Sequence, residues 1–326
     1  MKQYLTLEVE NYAGTVEHFL RTHAGLTHRQ ISQAKFRENG ILKNGIHCRV
    51  TEHIASGDTI SVCLAEDTES SSHLAAPPAG MRPLEILYED SDIIAVNKPS
   101  GVPVHPSGIH FNDTLANQIF SYSSSKGEAL CCRSVGRLDK ETSGVVLFAK
   151  NRAAASILQK QKIDGTFRKQ YLAAASGCLP ADKGKDQHTI KFPIAADPCN
   201  PLKMMALKSS FEPFSLHTTR ENISKYAITH YHTLYSTPDW SLVVLWLETG
   251  RTHQIRVHMD ALGHPLLGDS LYGHNLKAPN SPHFSRAALH AWKAEFLQPF
   301  TRQRIFLQAS LPDDFAALKS FADFEF

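Results

Sequence analysis

Apolar side chains in the first part of the chain recur at the spacing of two short amphipathic helices. The helical positions are Val16, Phe19, Leu20, Ile31 and Ala34. Residues three and four apart lie on one face of a helix, so each helix is expected to bury one face. Thr27 stands directly ahead of the second helix and is a suitable N-cap, because its hydroxyl can accept a hydrogen bond from a free backbone N–H.

Strand and turn signals complete this N-terminal unit and mark its end. The Asn44-Gly45 pair between two apolar runs predicts a two-residue hairpin, and Gly57-Asp58 predicts a turn into a strand over residues 59–62. Residues 66–83 are polar and then rich in proline and glycine, which is typical of a linker. We therefore predict three parts: a small domain over residues 1–65, a linker over 66–83 and a large domain over 84–326.

Beyond residue 84 the pattern is mainly that of strands. Runs of β-branched and aromatic residues bounded by glycine, proline or charge predict them. The predicted strands cover residues 84–90, 92–97, 145–150, 167–175, 226–231, 242–248 and 302–308. Helical spacing predicts helices over 114–120 and 151–162. Residues 193–205 contain no pattern from which we predict an element.

Asp139 is the first candidate for chemistry, because it lies just ahead of the buried strand at 145–150, between Arg137 and the hydroxyls of Thr142 and Ser143. A strand end can hold a carboxylate rigidly at the rim of a cleft. An aspartate before Thr, Ser and Gly is also a common turn or cap residue. On these residues alone both interpretations stay open.

Four sequence motifs together resemble the RluA family of RNA pseudouridine synthases. The first is Arg-Leu-Asp-x-x-Thr-Ser-Gly over residues 137–144, and the second is Lys-x-Tyr-x-Ala over 169–173. The third is Gly-Arg-x-His-Gln-Ile-Arg over 250–256, followed by Gly-Asp-x-x-Tyr-Gly over 268–273. The similarity covers about residues 84–312. One departure is Gly136, where many members of the family have histidine before the arginine.

This resemblance implies a fold and three catalytic residues. The fold is α+β, with a mixed or antiparallel sheet in the catalytic domain. Asp139 is the implied nucleophile, and Tyr171 lies against the target base. Arg251 is expected in the first turn of a helix that begins at Gly250, where it pairs with Asp139 across the cleft.

The resemblance also implies residues that contact RNA. Arg137 is suited to fill the space that a flipped nucleotide vacates. Further expected contacts in the catalytic domain are Thr142, Lys98, His105, His253 and Arg256. The N-terminal unit resembles an S4 RNA-binding domain, whose second helix would present Arg29, Lys35 and Arg37. These three cations also fit an ordinary solvated helix face.

Composition and charge exclude few classes of function. The formal net charge is +2, so any basic RNA-binding surface must be local. No apolar run approaches the roughly 20 residues needed to span a bilayer, and the N-terminus lacks the apolar region of a signal peptide, so we expect a cytoplasmic protein. The six cysteines form no Cys-x-x-Cys pair. His230-x-His232, and His253 with His258, lack acidic or thiol partners at matching offsets, so no metal site is predicted.

Conversion of uridine to pseudouridine breaks the N-glycosidic bond and joins C5 of the uracil to C1′ of the same ribose. Nothing is added or lost, so no cofactor is needed. A single carboxylate suffices if it attacks the sugar or helps to remove a sugar proton, and the sequence leaves both routes open. The implied partner is RNA, most directly 23S ribosomal RNA with transfer RNA as the alternative, and the protein is expected to act as a monomer. Two rival functions are a catalytically silent RNA-binding or assembly factor, and a hydrolase that would need a second acid such as Glu141.

Overall fold

The computed structural model describes residues 3–64, 74–127, 133–180, 187–208, 225–273, 280–316 and 318. The helices are α1 Val16–Thr22, α2 His28–Lys35, α3 Leu115–Ser125, α4 Arg152–Asp164, α5 Gln254–Ala261 and α6 Asp313–Ala316. The first eight strands are β1 Gln3–Glu8, β2 Gly14–Thr15, β3 Ile41–Lys43, β4 Ile46–His47, β5 His53–Ile54, β6 Thr59–Leu64, β7 Glu85–Glu89 and β8 Ile93–Lys98. The next five are β9 Arg133–Ser134, β10 Ser143–Ala149, β11 Arg168–Ser176, β12 His188–Ile190 and β13 Ile194–Ala196. The last five are β14 Met204–Ala206, β15 Thr229–Ser236, β16 Trp240–Leu247, β17 Leu289–Leu297 and β18 Arg304–Gln308.

The N-terminal unit packs α1 and α2 against a small sheet with the strand order β1-β6-β3-β4. The apolar positions predicted to be buried are buried. Thr27 caps α2 in a capping box with Gln30, and the hairpin at Asn44-Gly45 joins β3 to β4. The local patterns therefore predicted both helices, the β3-β4 hairpin and strand β6, whereas β1, β2 and β5 were not predicted.

The larger part of the chain is built on a central sheet with the path β12-β15-β16-β11-β17-β10-β8-β7. Two further described strands extend it, since β18 pairs with β17 and β9 with β10. Neighbours on this sheet are antiparallel except for the parallel pair β10 and β17. The predicted mixed or antiparallel α+β fold is confirmed.

Strand β10 shows how the sheet separates two cores. Val146 and Phe148 face the core that also contains α3 and α5, whereas Val145, Leu147 and Ala149 face the core that contains α4. Successive side chains of a strand point to opposite faces, so a strand covered on both sides has an uninterrupted apolar sequence. This explains why residues 145–149 contain no polar position.

Helix α4 packs against both parts of the molecule. Ala153 belongs to the core of the N-terminal unit, and Leu158 belongs to the sheet core. The second half of the predicted linker lies on the catalytic part, because Leu74 is buried in the sheet core and the Asn117 side chain donates to the Ala75 carbonyl at 2.8 Å. Residues 65–73 lie outside the described part, and the predicted domain boundaries stay a prediction.

Two differences from the predicted elements concern weak patterns. Residues 193–205, for which no element was predicted, contain β13 and most of β14, which pair as an antiparallel hairpin. The helix predicted over 114–120 continues to Ser125. Within the described part of the chain, no helix is both long and apolar enough to cross a membrane.

Candidate active site

Asp139 lies in the loop between β9 and β10, and its backbone closes a tight turn. The Thr142 N–H donates to the Asp139 carbonyl at 3.2 Å. Ahead of the turn, the Val135 N–H donates to the Leu147 carbonyl at 2.7 Å, and Leu138 is buried in the sheet core. The loop is thus attached to β10 on one side and anchored by an apolar side chain next to the aspartate.

Lys98 supports this loop from beneath. It is 0% exposed, and its ammonium donates to the carbonyls of Pro99 at 2.9 Å, Val102 at 2.7 Å and Lys140 at 2.9 Å. Burial, with the Arg286 charge nearby, lowers the pKa of Lys98 to about 7. An ammonium has three N–H donors, and all three are used. This arrangement does not fit the RNA phosphate contact predicted for Lys98, which instead fixes the backbone next to Asp139.

Arg286 holds the next carbonyl of the same loop. Its Nη1 donates to the Glu141 carbonyl at 2.9 Å, while Nε and Nη2 bind the Asp314 carboxylate at 2.7 and 3.0 Å. The Ser143 hydroxyl lies 2.9 Å from His290 Nδ1 on β17. Residues more than 140 positions away in sequence therefore determine where the loop runs.

Gly144 is required by a close approach between β10 and β17. Its φ is +109°, and a Cβ there would lie 2.2 Å from the carbonyl oxygen of Ala291. Only glycine tolerates this conformation and this contact. The Thr-Ser-Gly end of the first motif thus has a structural explanation in the chain itself.

The Asp139 loop borders a cavity of about 370 Å³, within the usual range for small-ligand sites. Eight of the predicted site residues line it: His105, Arg137, Asp139, Thr142, Tyr171, Arg251, His253 and Arg256. Lys98 does not line the cavity, and Arg29, Lys35 and Arg37 lie in the N-terminal unit. Positions scattered over 150 residues thus meet in one site.

Tyr171 projects from β11 into this cavity and is 8% exposed. Burial, and secondly the nearby Asp139 charge, raise the pKa of Tyr171 above its usual value. Its hydroxyl therefore stays protonated at neutral pH. Within the described residues the hydroxyl has no hydrogen-bond partner, so it is available to a ligand.

Arg251 lines the cavity but is placed differently from the prediction. Helix α5 begins at Gln254 and not at Gly250, because His253 adopts left-handed backbone angles, with φ at 54°. Arg251 lies in the loop before the helix, where its Nε donates to the Tyr226 carbonyl at 3.1 Å. Among the described residues, no ion pair within 4 Å joins it to Asp139.

Gln254 determines the shape of this loop. Its side-chain oxygen accepts from the Arg251 N–H at 3.0 Å, and its amide nitrogen donates to the Ile228 carbonyl at 2.9 Å. A buried amide that bonds backbone groups on both sides can hold an irregular segment as regular secondary structure does. No sequence pattern indicates this positioning role of Gln254.

Arg256 forms a buried ion pair behind the cavity wall. Its Nε and Nη2 bind the two carboxylate oxygens of Asp269 at 2.6 and 2.7 Å. Tyr272 lies next to this pair, and its hydroxyl is 3.0 Å from His253 Nδ1. Burial lowers the pKa of His253. The pair between Arg256 and Asp269 therefore supports the wall that carries His253.

His105 and Arg137 form the opposite rim. His105 Nε2 lies 2.6 Å from the Ser134 hydroxyl, and Arg137 is exposed. Burial, and then the Arg137 charge, lower the pKa of His105. The neutral form of that imidazole is therefore favoured.

Two lysines of the cavity wall were not among the predicted site residues. Lys162 comes from the last turn of α4, and Lys169 comes from β11. Lys169 Nζ donates to the Val145 carbonyl at 2.9 Å, and burial, with the charge of Lys162 next in size, lowers the pKa of Lys169 to about 7. Nothing in the helical pattern of α4 distinguished Lys162 from a surface lysine. Over the described residues, no group of three metal-ligating side chains comes together.

Comparison with known proteins identifies the family. A model described as RNA pseudouridylate synthase matches residues 92–261, which include the Asp139 loop, Tyr171 and Arg251. The chain belongs to this family. The predicted resemblance to RluA-type pseudouridine synthases is thereby confirmed, and the protein is an RNA pseudouridine synthase.

Relatives of this synthase match along almost its whole length. An uncharacterized RNA pseudouridine synthase, YjbO, of Bacillus subtilis (strain 168) is 33% identical over 312 residues, which cover 96% of this chain and 98% of the relative. Ribosomal large subunit pseudouridine synthase D of Neisseria meningitidis serogroup A is 33% identical over 291 residues, covering 87% of this chain and 72% of that protein. The solved structure of human RNA pseudouridylate synthase domain containing 4 matches with a TM-score of 0.55 at 26% identity, covering 72% of the synthase and 92% of that chain.

Proposed function

We propose that this synthase converts specific uridines of large-subunit ribosomal RNA to pseudouridine, with Asp139 as the carboxylate that acts on the sugar. The position of Asp139 carries the proposal. Its loop is fixed through neighbouring carbonyls, and its carboxylate borders a cavity together with Tyr171 and several cations. A fixed carboxylate with no bonded partner among the described residues is available to a substrate.

The surroundings of Asp139 suit an isomerisation better than a hydrolysis. Two carboxylates are among the described residues that line the cavity, Asp139 and Glu248, and Glu248 is bound to His230 at 2.7 Å. Glu141, the second acid considered for a hydrolase, is not part of the lining. Tyr171 offers the base an aromatic surface and a protonated hydroxyl.

In this proposal Asp139 either attacks C1′ or assists loss of the sugar proton at C2′. In both routes the bond from C1′ to N1 breaks, the uracil rotates within the cavity, and C5 bonds to C1′. On the first route the ester bond between Asp139 and C1′ breaks as C5 bonds to C1′, which frees the carboxylate. On the second route a proton returns to C2′. The proton on C5 is then removed, and its equivalent ends on N1, so the product is an isomer of the substrate. Arg137 at the rim fills the space that the flipped nucleotide leaves, and Arg251 supports the site as part of the cavity wall.

Two observations favour ribosomal RNA as the substrate. One is the 33% identity to proteins named ribosomal large subunit pseudouridine synthase D. The other is the N-terminal unit, which we propose is an S4-like RNA-binding domain. Arg29 and Lys35 are exposed on α2, whereas Arg37 is half-buried and its Nη1 donates to the Cys63 carbonyl at 3.0 Å. A cytoplasmic, monomeric enzyme remains part of this proposal.

The experiment uses RNA from cells that lack this protein. The purified wild type and the Asp139→Asn variant are incubated with this RNA, and pseudouridine is mapped by carbodiimide-dependent stops of reverse transcription. We expect wild type to restore specific stops in 23S ribosomal RNA and Asp139→Asn to restore none. Glu141→Gln is the matched control, because it neutralises a carboxylate outside the cavity lining, and it is expected to retain activity.

Each alternative result has a defined meaning. If the reverse-transcription stops occur only in transfer RNA, the substrate is transfer RNA and not ribosomal RNA. Free uracil or abasic sites would indicate a hydrolase. Equal activity of Asp139→Asn and wild type would refute the role of Asp139, and binding without modification would indicate an RNA-binding factor.

A further inference from the structure

Lys162 lies where the two arginine-bearing loops of the cavity meet. A Cβ placed on Gly136 would be 3.0 Å from Lys162 Nζ, and one placed on Gly250 would be 3.6 Å from it. Gly136 directly precedes Arg137, and Gly250 directly precedes Arg251. The ammonium of Lys162 thus occupies the space next to two residues that have no side chains.

The backbone that carries Lys162 is firmly held. The adjacent Gln161 is 3% exposed, and its side chain bonds the carbonyl and the N–H of Leu297 at 2.8 and 2.9 Å. Lys162 is therefore delivered to the cavity from a rigid helix end, whereas its side chain remains exposed to solvent. A group on a rigid element, with an accessible end, is suited to binding.

Among the residues that the structure describes, the Lys162 ammonium has no anionic partner. No hydrogen bond or ion pair to Lys162 occurs among the described residues, and the cavity walls lower the pKa of Lys162 by desolvation. Its cationic neighbours in the lining are Arg137, Lys169 and Arg251. A lysine near a helix C-terminus can also serve only the helix dipole, but Lys162 extends across to the loops at Gly136 and Gly250.

We propose that Lys162 binds a phosphate of the RNA backbone next to the target uridine. This inference rests on the proposed function and assigns one contact within that site. A flipped nucleotide brings its flanking phosphates to the rim of the pocket that receives it. A phosphate at this rim would lie next to the Lys162 ammonium, between Arg137 and Arg251. The three free N–H groups of the ammonium would donate to the phosphate oxygens. Lys162 is a binding and positioning residue in this arrangement.

The test compares Lys162→Gln with Lys160→Gln. The control removes an equal charge two residues earlier on α4, at an exposed position that does not line the cavity. The probe is a ribosomal RNA fragment around a uridine that wild type modifies. For Lys162→Gln we expect RNA binding to weaken roughly 10- to 150-fold, as for the loss of one charge-assisted hydrogen bond. The slope of log affinity against log salt should fall by about 0.7–0.9. The single-turnover rate of Lys162→Gln at saturating RNA should stay within about twofold of the wild-type rate. Lys160→Gln should bind RNA as wild type does. Lys162→Arg should recover most of the affinity that Lys162→Gln loses.

Neutral methylphosphonates placed singly beside the target uridine locate the contact. At one position the substitution should weaken binding to wild type and have no further effect on Lys162→Gln. Equal affinity and salt slope for wild type and Lys162→Gln would overturn the proposal, as would equal losses for both glutamine variants. A lower saturated rate with unchanged affinity would instead assign Lys162 to the chemistry.

The two proposals can fail separately. If wild type modifies no RNA, the proposed function fails. Binding of the same variants to whole ribosomal RNA, with its salt slope, still reports on the phosphate contact. If wild type is active and the Lys162 variants bind normally, the phosphate contact alone is refuted.

Discussion

Asp139 is positioned by bonds to the carbonyl groups of its neighbours, and within the described part of the chain no hydrogen bond reaches its own carboxylate. Lys98 binds the carbonyl of residue 140, and Arg286 binds that of residue 141. A carboxylate that is itself hydrogen-bonded would be a weaker nucleophile, because its lone pairs would be engaged. Because the backbone is held instead, the Asp139 carboxylate is oriented while its lone pairs stay available.

Lys169 should make the stability of the protein depend on pH in the neutral to alkaline range. Its folded pKa is about 7, below the unfolded value of about 10.4. Below pH 7 Lys169 is protonated in both states, and burial of its ammonium destabilises the folded state. Between about pH 7 and pH 10 the folded state has lost this proton and the unfolded state still carries it, so each rise in pH favours the folded state. The free energy of unfolding of wild type should therefore rise across this window.

The variant Lys169→Met removes this titration and should flatten that rise. Urea unfolding at about pH 6.5 and pH 9.5 measures it, with Lys160→Met as the exposed control. We expect Lys169→Met to be more stable than wild type at the lower pH, with the difference shrinking at the higher pH. A difference between variant and wild type that does not change with pH would contradict this account.

Eight of the predicted site residues line the cavity, and the catalytic and RNA-binding roles assigned to them stay predictions. Lys98 was misassigned because its three carbonyl partners come from two loops that only the folded sheet brings together. Arg251 was assigned to a helix because the left-handed backbone of His253 has no sequence signal. Lys162 was missed because a helix pattern shows which face is polar and not what that face lies against.

At the scale of the elements, the parallel contact of β10 with β17 should depend on Gly144. We expect Gly144→Ala to lower the thermal midpoint strongly, since its Cβ would meet the Ala291 backbone at 2.2 Å and force the strands apart. Gly101→Ala is the matched control. Its φ is +82°, with nothing within 4 Å of the added Cβ, so it should lose only about 1 kcal/mol from backbone strain.

Calorimetry of both alanine variants measures these effects. Comparable losses in the two variants would mean that backbone conformation, and not the approach of the strands, requires glycine at position 144. Pseudouridine formation by any folded fraction of Gly144→Ala should also fall, because Gly144 lies in the first residues of β10, directly after the Asp139 loop.

Elements with strong local signals were predictable, and weakly patterned ones were not. The capping residue Thr27 and the Asn44-Gly45 turn act within a few residues, so the sequence alone defines the elements that they start or join. The hairpin of β13 and β14 has strands of three residues each, which are too short to show a period.

At the scale of the whole molecule, the exposed cations of α2 should affect RNA capture and not chemistry. We expect the double variant Arg29→Glu and Lys35→Glu to raise the KM for ribosomal RNA about 10-fold or more and to reduce its salt dependence, because phosphate contacts would be replaced by repulsion. The rate at saturating RNA should stay near that of wild type.

The control for this variant carries the same change of net charge on other elements of the N-terminal unit. Arg21→Glu with Arg49→Glu alters two exposed arginines away from α2. If this control and the α2 variant raise KM equally, general electrostatics and not an S4-like surface is responsible. If neither does, the N-terminal unit is not an RNA-binding domain.

The overall architecture was predictable only as far as the fold class and the order of the parts. The mixed sheet followed from the family resemblance, whereas the packing of α4 against both units did not. Ala153 and Leu158 look alike as inward positions of one helix, although they belong to different cores. Sequence periodicity identifies a buried face and does not identify the surface that covers it.

The Asp139 loop can take its final position only after Arg286 and β17 have been synthesised, because both hold it in the folded protein. At elongation rates of roughly 5–20 residues per second, the ribosome needs roughly 7–30 s to proceed from residue 144 to residue 286. Throughout that interval the Asp139 loop lacks the strand against which Gly144 packs. The Asp139 loop therefore cannot reach its final position until the C-terminal strands of the nascent chain emerge.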